Sequence, residues 1–178
     1  MVMVALLVAA PAFAQLTMAP LSGQATAHLG GAIGTGDAGS ALSVGGSVAI
    51  LEQSGWGAEL DFGYADSGGD SRDSLEAQSY MANLIGSWPK GRLRPFGVVG
   101  AGAIRARTCV NGCGSTESST DWGVNGGGGV QFLFSDALGV RADARYFTAL
   151  GDRPDAVGQR LGYWRIAAGV TYLWSIAP

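Results

Sequence analysis

Charged residues are scarce in this chain, which limits the classes of protein that it can be. Only 14% of the 178 residues are charged, while 47% are apolar, and this balance is too hydrophobic for a disordered chain. The 11 basic residues are scattered and the formal net charge is -3, so the clustered Lys and Arg of a nucleic-acid footprint are missing. The composition therefore predicts an ordered domain that does not bind nucleic acid.

Long hydrophobic runs are missing beyond the first few residues. After the N-terminal segment no stretch reaches the roughly 18 apolar residues that a membrane-spanning helix needs, which excludes a helical membrane protein. The start, MVMVALLVAAPAFAQ, is apolar and ends in the small-x-small pattern that signal peptidase cleaves. We predict a signal peptide over residues 1–14 and a single exported domain over 15–178. The alternative, a buried N-terminal helix, would be interrupted by Pro11.

What the chain has instead is an alternation of apolar and polar residues with a period of two. Eight segments of roughly 10 residues show this alternation, each bounded by turn residues. They span 24–34, 41–51, 56–65, 76–88, 95–106, 121–134, 138–148 and 162–174. The connections between them alternate between short turns and longer polar loops. Such an order is typical of an antiparallel up-and-down barrel in an outer membrane.

The charges in these segments indicate which face of each strand is the inside, because a charge that faces lipid is costly. In segment 56–65, Glu59 and Asp61 alternate with apolar neighbours such as Leu60. The same rule places seven charged side chains in one lumen: Glu59, Asp61, Arg105, Arg141, Asp143, Arg145 and Arg165. Charges in a narrow, partly dry space must be paired. We predict a salt-bridge network that plugs the lumen, with an ion path gated by the same network as the alternative.

Aromatic residues provide a second test, since they collect at both interfaces of a membrane. Most of them lie near strand ends and on the apolar parity, that is, at the alternate strand positions that are apolar. The predicted girdle residues are Trp56, Tyr64, Tyr80, Trp88, Phe96, Trp122, Phe134, Tyr146, Trp164, Tyr172 and Trp174. A soluble barrel such as a lipocalin points its apolar parity inward and has no reason to collect aromatic residues at both rims. We predict an all-β, eight-stranded antiparallel transmembrane barrel, polar inside and apolar outside.

Two stretches resemble a known family. LRPFGVVGAGA (residues 93–103) is similar to a turn and strand, and SDALGVRADARYF (residues 135–147) to the penultimate strand, of small outer-membrane β-barrel proteins of the OmpA/OmpX type. The resemblance implies a location in the outer membrane of a Gram-negative cell envelope. It also implies partners: outer-membrane lipid and lipopolysaccharide, the barrel-assembly machinery, and an extracellular partner of the loops.

Cysteine and histidine, which carry much catalytic and metal chemistry, are nearly absent. Cys109 and Cys113 lie close together in a predicted loop of an exported protein, which indicates a disulfide. With only two ligands and no neighbouring His, they do not indicate a metal site. His28 is the only histidine, and it lacks the paired Ser that a lipid-deacylating barrel needs; we interpret it as a lumen-lining residue. We predict no catalytic residues, no metal and no cofactor.

These observations favour a non-enzymatic function. The expected function is that of a structural outer-membrane barrel with exposed loops, which contributes to envelope integrity or to contacts at the cell surface. The alternative is a narrow passive channel of porin type. A lipid-modifying enzyme is a third class whose residues are missing from the sequence.

Overall fold

A closed β-barrel accounts for the described part of the chain. The structure, a computed structural model, describes residues 21–34, 40–66, 74–88, 90–110, 115–150 and 162–176. The eight strands in these ranges are β1 (Leu21–Gly34), β2 (Ser40–Leu51), β3 (Trp56–Asp66), β4 (Ser74–Ser87), β5 (Leu93–Val110), β6 (Ser115–Leu133), β7 (Leu138–Ala149) and β8 (Gly162–Ile176). Each strand pairs antiparallel with the next one along the chain, and β8 pairs with β1. The predicted eight-stranded up-and-down barrel is confirmed.

The strands are tilted, as closure of a barrel requires. From Asp61, the chain of paired residues through β2, β1 and β8 reaches Gly139 on β7. In the other direction, through β4, β5 and β6, it reaches Ala149 on the same strand. Because of this stagger, side chains from strands that are not hydrogen-bonded neighbours lie at the same level in the lumen. Glu59 on β3 therefore contacts Arg145 on β7.

The connections at one end of the barrel, which we call the short-turn end, are tight and hydrogen-bonded. Between β2 and β3, the N–H of Gly55 donates to the carbonyl of Glu52 at 2.9 Å. Gly55 has a φ of 87°, and Gly91 in the turn before β5 has a φ of 65°, a conformation that favours glycine. The connections at the opposite end, the loop end, comprise residues 35–39, 67–73, 111–114 and 151–161, which lie outside the described ranges.

Burial along the strands is the inverse of that in a soluble protein. In β3, Glu59 and Asp61 are buried, whereas Leu60 between them is 68% exposed. The same alternation holds in β7 and β8, where the Arg and Asp side chains are buried and Val140 and Ile166 are exposed. A continuous apolar surface on ordered strands is suited to hydrocarbon and not to water. The predicted polar interior and apolar exterior are confirmed.

Strands β5 and β6 are longer than the sequence pattern predicted. A loop was expected over residues 107–120, but β5 continues to Val110 and β6 begins at Ser115. Near this extension the outward residues that pair across β4, β5 and β6 are polar: Gln78, Arg105 and Thr120. Because both faces of the sheet can be polar beyond the hydrocarbon, the alternation fades there while the backbone pairing continues. Among the described residues, no helix has the length and apolar character needed to cross a membrane.

Candidate functional site

The lumen contains a connected set of buried ion pairs, which is the candidate functional site. We call these residues the charge network: Glu59, Asp61, Arg141, Asp143, Arg145 and Arg165. They lie on β3, β7 and β8, and each is buried. Three carboxylates face three guanidinium groups, so the network is electrically balanced within itself.

Glu59 lies at the centre of the charge network. Its Oε1 accepts a hydrogen bond from Arg145 Nη1 at 2.8 Å, and its Oε2 accepts one from Arg141 Nη1 at 2.8 Å. Asn83 Nδ2, on the neighbouring strand, donates to Oε1 at 3.1 Å. Glu59 is only 1% exposed, and charge-assisted hydrogen bonds of this kind are the strong ones in proteins. The carboxylate therefore joins β3, β4 and β7 across the lumen.

Asp143 joins the same two arginines from their own strand. It lies two residues from each of them on β7, so all three side chains point to the same face. Its Oδ2 accepts from Arg141 Nε at 3.2 Å and its Oδ1 from Arg145 Nε at 3.1 Å. Each arginine is thus held by two carboxylates, which fixes the planes of both guanidinium groups.

Asp61 forms the second centre of the charge network. Arg165 donates to it in a bidentate arrangement, with Nη1 to Oδ1 and Nη2 to Oδ2 both at 2.9 Å. Arg145 Nη1 lies 3.5 Å from Asp61 Oδ2, which connects the two centres. His28, predicted to line the lumen, is buried there with its Nε2 3.6 Å from the same oxygen.

Apolar side chains lie on both sides of the charge network along the barrel axis. Toward the loop end lies a cluster that includes the stacked rings of Phe147 and Tyr163, whose centroids are 4.9 Å apart. Arg165 Cζ lies 5.0 Å from the Phe147 ring centroid. Toward the short-turn end lies a second cluster, formed by Ile85, Phe96 and Val98. The loop-end cluster includes residues of most strands and forms an apolar layer across the lumen, whereas the short-turn cluster lies on β4 and β5 with partly buried Leu51 of β2.

Inward glycines leave room for the long side chains of the network. Gly127 is the strand partner of Arg145 and Gly129 is the strand partner of Asp143, so β6 places no side chain beside Arg145 or Asp143. On β3, a Cβ atom at Gly63 would lie 2.7 Å from Arg165 Nη1 and 2.7 Å from Ser79 Oγ. These glycines are needed for close approach of neighbouring groups, which is the usual reason for glycine inside a strand.

The close approach at Gly63 gives a testable prediction. We expect Gly63→Ala to lower the free energy of unfolding by about 1–3 kcal/mol, because the added methyl overpacks the lumen and displaces the Arg165 guanidinium from Asp61. Urea unfolding of the barrel in lipid vesicles, followed by tryptophan fluorescence, measures the change. Gly31→Ala is the matched control, since a Cβ there has its nearest neighbour at 3.9 Å. Equal effects of the two substitutions would contradict the proposed crowding at Gly63.

Arg105 is the one predicted network residue that lies elsewhere, and its assignment to the lumen is wrong. It pairs with Gln78 and Thr120 on the outward parity of β5, opposite in direction to Ile104, which is buried. The next outward residue of β6 toward the membrane centre, after Thr120, is Trp122, which is 74% exposed. Arg105 therefore lies beyond the aromatic level, where an outward charge meets polar surroundings and is not penalised by lipid.

Phe96 was predicted in an aromatic girdle, and this assignment is also wrong. It is 5% exposed and faces the lumen, where Arg141 Cζ lies 4.0 Å from its ring centroid. An inward aromatic ring that covers a guanidinium group stabilises the cation through its π face. The two errors have one origin, because Phe96 and Arg105 have opposite parity on the same strand and the phase of β5 was inverted.

The other predicted girdle residues lie on the outward parity. They are Trp56, Tyr64, Tyr80, Trp88, Trp122, Phe134, Tyr146, Trp164, Tyr172 and Trp174. At the short-turn end, Trp56 and Trp88 contact each other with ring centroids 6.5 Å apart. Toward the loop end, Tyr146 and Trp164 are paired at 5.3 Å. Their role as interfacial anchors remains a proposal.

Sequence reasoning missed Arg94 as a lumen residue. It was assigned to the turn before β5, yet β5 begins at Leu93, and Arg94 shares the inward parity of Phe96. The charge of Arg94 could have indicated that the even-numbered residues of β5 face the lumen.

The predicted disulfide between Cys109 and Cys113 lies outside the described residues and side chains, as does the predicted signal peptide.

A closed eight-stranded barrel with ion pairs inside and apolar side chains outside defines the class of transmembrane β-barrels found in outer membranes. The family model described as outer membrane protein beta-barrel domain matches residues 1–172. The chain belongs to this family. No curated protein sequence matches it.

Solved structures of small outer-membrane barrels have the same fold. Neisserial surface protein A is 17% identical, with a TM-score of 0.65 over 85% of this chain and 96% of that one. Ail of Yersinia pestis, crystallised with the heparin analogue sucrose octasulfate, is 17% identical, with a TM-score of 0.58 over 88% of this chain and 100% of its own. The N-terminal barrel of Pseudomonas aeruginosa OprF is 19% identical, with a TM-score of 0.56 over 86% and 97%. At these identities the likeness concerns the fold alone.

Proposed function

We propose that this protein is a structural, non-catalytic barrel of the outer membrane whose lumen is plugged by the charge network. Its loop end faces the exterior and contributes to envelope integrity or to contact with a surface partner. The observation that carries the proposal is the balanced set of ion pairs with an apolar layer above it toward the loop end. A water-filled pore needs a continuous polar path, and this layer interrupts it.

The family supports the location, since it consists of outer-membrane barrels. Export through a signal peptide over residues 1–14 and a mature barrel over residues 15–178 are part of the proposal. So are outer-membrane lipid and lipopolysaccharide as the surroundings of the apolar exterior, with Tyr and Trp side chains anchoring it at both interfaces. The barrel-assembly machinery would insert the chain.

A narrow passive channel is the second candidate, and a specific observation favours it. Several buried polar atoms in the lumen have no hydrogen-bond partner among the described residues, including Asn125 Nδ2 and Oδ1, His28 Nδ1 and Arg165 Nε. Buried polar groups usually find a partner, often an ordered water. A chain of waters along these groups would form a path if the loop-end apolar layer opened.

Recording from single barrels in planar bilayers distinguishes the two functions. We expect the wild type to show no steady conductance steps, because the ion pairs and the loop-end apolar layer block the lumen. Arg92→Gln, an exposed turn substitution, is the control and should behave like the wild type. A steady wild-type conductance that changes in Arg145→Ala would contradict the plugged lumen and favour the channel.

A further inference from the structure

Three inward side chains with hydrogen-bond donors lie side by side at the short-turn end of the lumen. Arg94 on β5 pairs with Gln131 on β6, and Gln131 pairs with Arg141 on β7. Directly paired residues on one face of a sheet have Cβ atoms about 4.5–5.5 Å apart. The three side chains therefore start from one small area of the lumen wall.

Each of these side chains has a buried nitrogen with no acceptor among the described residues. The atoms are Arg94 Nε, Gln131 Nε2 and Arg141 Nη2. Gln131 and Arg141 are themselves almost fully buried, at 4% and 2% exposure. The other Arg141 nitrogens are used, with Nη1 on Glu59 and Nε on Asp143. A buried donor without an acceptor is unfavourable, and here three of them occur on adjacent strands.

The charge at this end is also unbalanced. The three carboxylates of the charge network are matched by Arg141, Arg145 and Arg165, and Arg94 adds a guanidinium to the inward face without an ion pair to any described residue. Lys90 and Arg92, in the adjoining turn, are exposed and add positive charge. Glu52 and Asp136, the acidic residues of the described turns at this end, are exposed, and the carboxylates of Glu59 and Asp143 are already paired with Arg141 and Arg145. Arg94 is therefore the inward charge that an anion would balance.

We propose that Arg94, Gln131 and Arg141 bind a small oxyanion, a phosphate or a carboxylate, at the short-turn mouth of the lumen. An oxyanion has several acceptor oxygens and a negative charge, so it satisfies the donors and compensates Arg94 together. A water molecule could accept a hydrogen bond but would leave the charge unbalanced. Phe96 supports the site, because its ring lies against the Arg141 guanidinium and restrains it. Access is from the short-turn end, where Arg94 is the partly exposed member.

The test is a titration of the full folded barrel with inorganic phosphate in octyl glucoside, a detergent without phosphate, at constant ionic strength set by chloride. Isothermal titration calorimetry should give saturable binding of one phosphate per barrel. Arg94→Gln removes a charge-assisted donor and should weaken binding by about tenfold. Gln131→Leu removes a donor without changing the net charge and should weaken it by about fivefold. Gel electrophoresis of unheated and boiled samples verifies that each variant is folded, since a folded barrel migrates faster until it is boiled.

Arg92→Gln is the matched control, since it removes one exposed positive charge from the adjoining turn and should change the affinity by less than about twofold. Acetate should compete with phosphate for the single site. In vesicles, loss of phosphate binding with phosphatidylglycerol but not with phosphatidylcholine identifies the headgroup of an anionic lipid as the occupant, and retention in both identifies a free anion. Either result supports the site. No saturable binding to the wild type, or an equal loss in Arg92→Gln and Arg94→Gln, would overturn the proposal.

Discussion

Glu59→Gln is expected to lower the free energy of unfolding by about 3 kcal/mol or more, because it leaves two buried guanidinium groups short of one negative charge. Glu59 accepts from both Arg141 and Arg145 at 2.8 Å. Glutamine has nearly the same volume, so no cavity forms and the effect reports the charge. The amide oxygen can still accept from one arginine, but the amide nitrogen then faces the other. Equilibrium unfolding in urea, with the barrel in lipid vesicles, measures the difference.

Two further variants show whether this effect comes from the charge network. Glu52→Gln changes the same chemical group in an exposed turn and should alter the free energy of unfolding by less than about 0.5 kcal/mol. The double variant Glu59→Gln/Arg145→Gln removes one charge of each sign, and its loss should be smaller than the sum of the two single losses. If Glu59→Gln were as mild as Glu52→Gln, the network would contribute little to stability.

The barrel could be predicted because most strands have two chemically different environments. In β3, β7 and β8 one face meets hydrocarbon and the other meets a crowded polar lumen, so the period of two is uninterrupted. Leu60 and Val140 on one parity, with Glu59 and Arg141 on the other, leave no choice of phase. A one-residue slip would move every side chain to the wrong face.

Strand β5 lacks this contrast, and its phase could not be derived from the same rule. Its two faces are both built mainly of Gly, Ala and Val, and its charged residues do not share one parity, since Arg94 is even-numbered and Arg105 and Arg107 are odd-numbered. The rule that charges avoid lipid holds only within the hydrocarbon, and Arg105 lies beyond it. The apolar clusters of the lumen add to the ambiguity, because they place Phe96 and Ile104 inside, where a purely polar interior was expected.

The alternation along the strands predicts which residues form most of the charge network, but it does not predict which of them pair. Parity states only that Glu59, Asp61, Arg145 and Arg165 face the lumen. Which carboxylate meets which guanidinium depends on the tilt of the strands and on the register between them. Asp61 and Arg165 come from β3 and β8, which are not hydrogen-bonded neighbours. Their bidentate contact is a property of the closed barrel and has no local signal in the sequence.

The exterior of the barrel gives the other large expected effect. Leu60→Arg should lower the free energy of unfolding by about 2–4 kcal/mol in a lipid bilayer, as for Arg at the midplane of a transmembrane barrel. Leu60 lies in the middle of β3, paired with Val48 and Ala82, and its outward neighbours along the strand are Ala58 and Phe62. None of these can satisfy a guanidinium group. An arginine there must remain in hydrocarbon or distort the bilayer to reach its surface.

The matched control is Gln78→Arg, which introduces the same side chain on the outward face of the adjacent strand near the loop end. Gln78 already contacts polar groups, with its Nε2 donating to Glu76 Oε1 at 2.9 Å and its Oε1 accepting from Tyr80 Oη at 3.3 Å. Charges near the interface cost only about 0–1 kcal/mol, and Glu76 places a carboxylate beside the new guanidinium that offsets the directly paired Arg105. This variant should therefore unfold nearly as the wild type does in the same vesicles. Both variants introduce arginine into a strand, so the ratio of their changes in the free energy of unfolding reports the depth of each position in the bilayer. A Leu60→Arg protein as stable as Gln78→Arg would mean that Leu60 faces water, and the assignment of this surface to lipid would have to be abandoned.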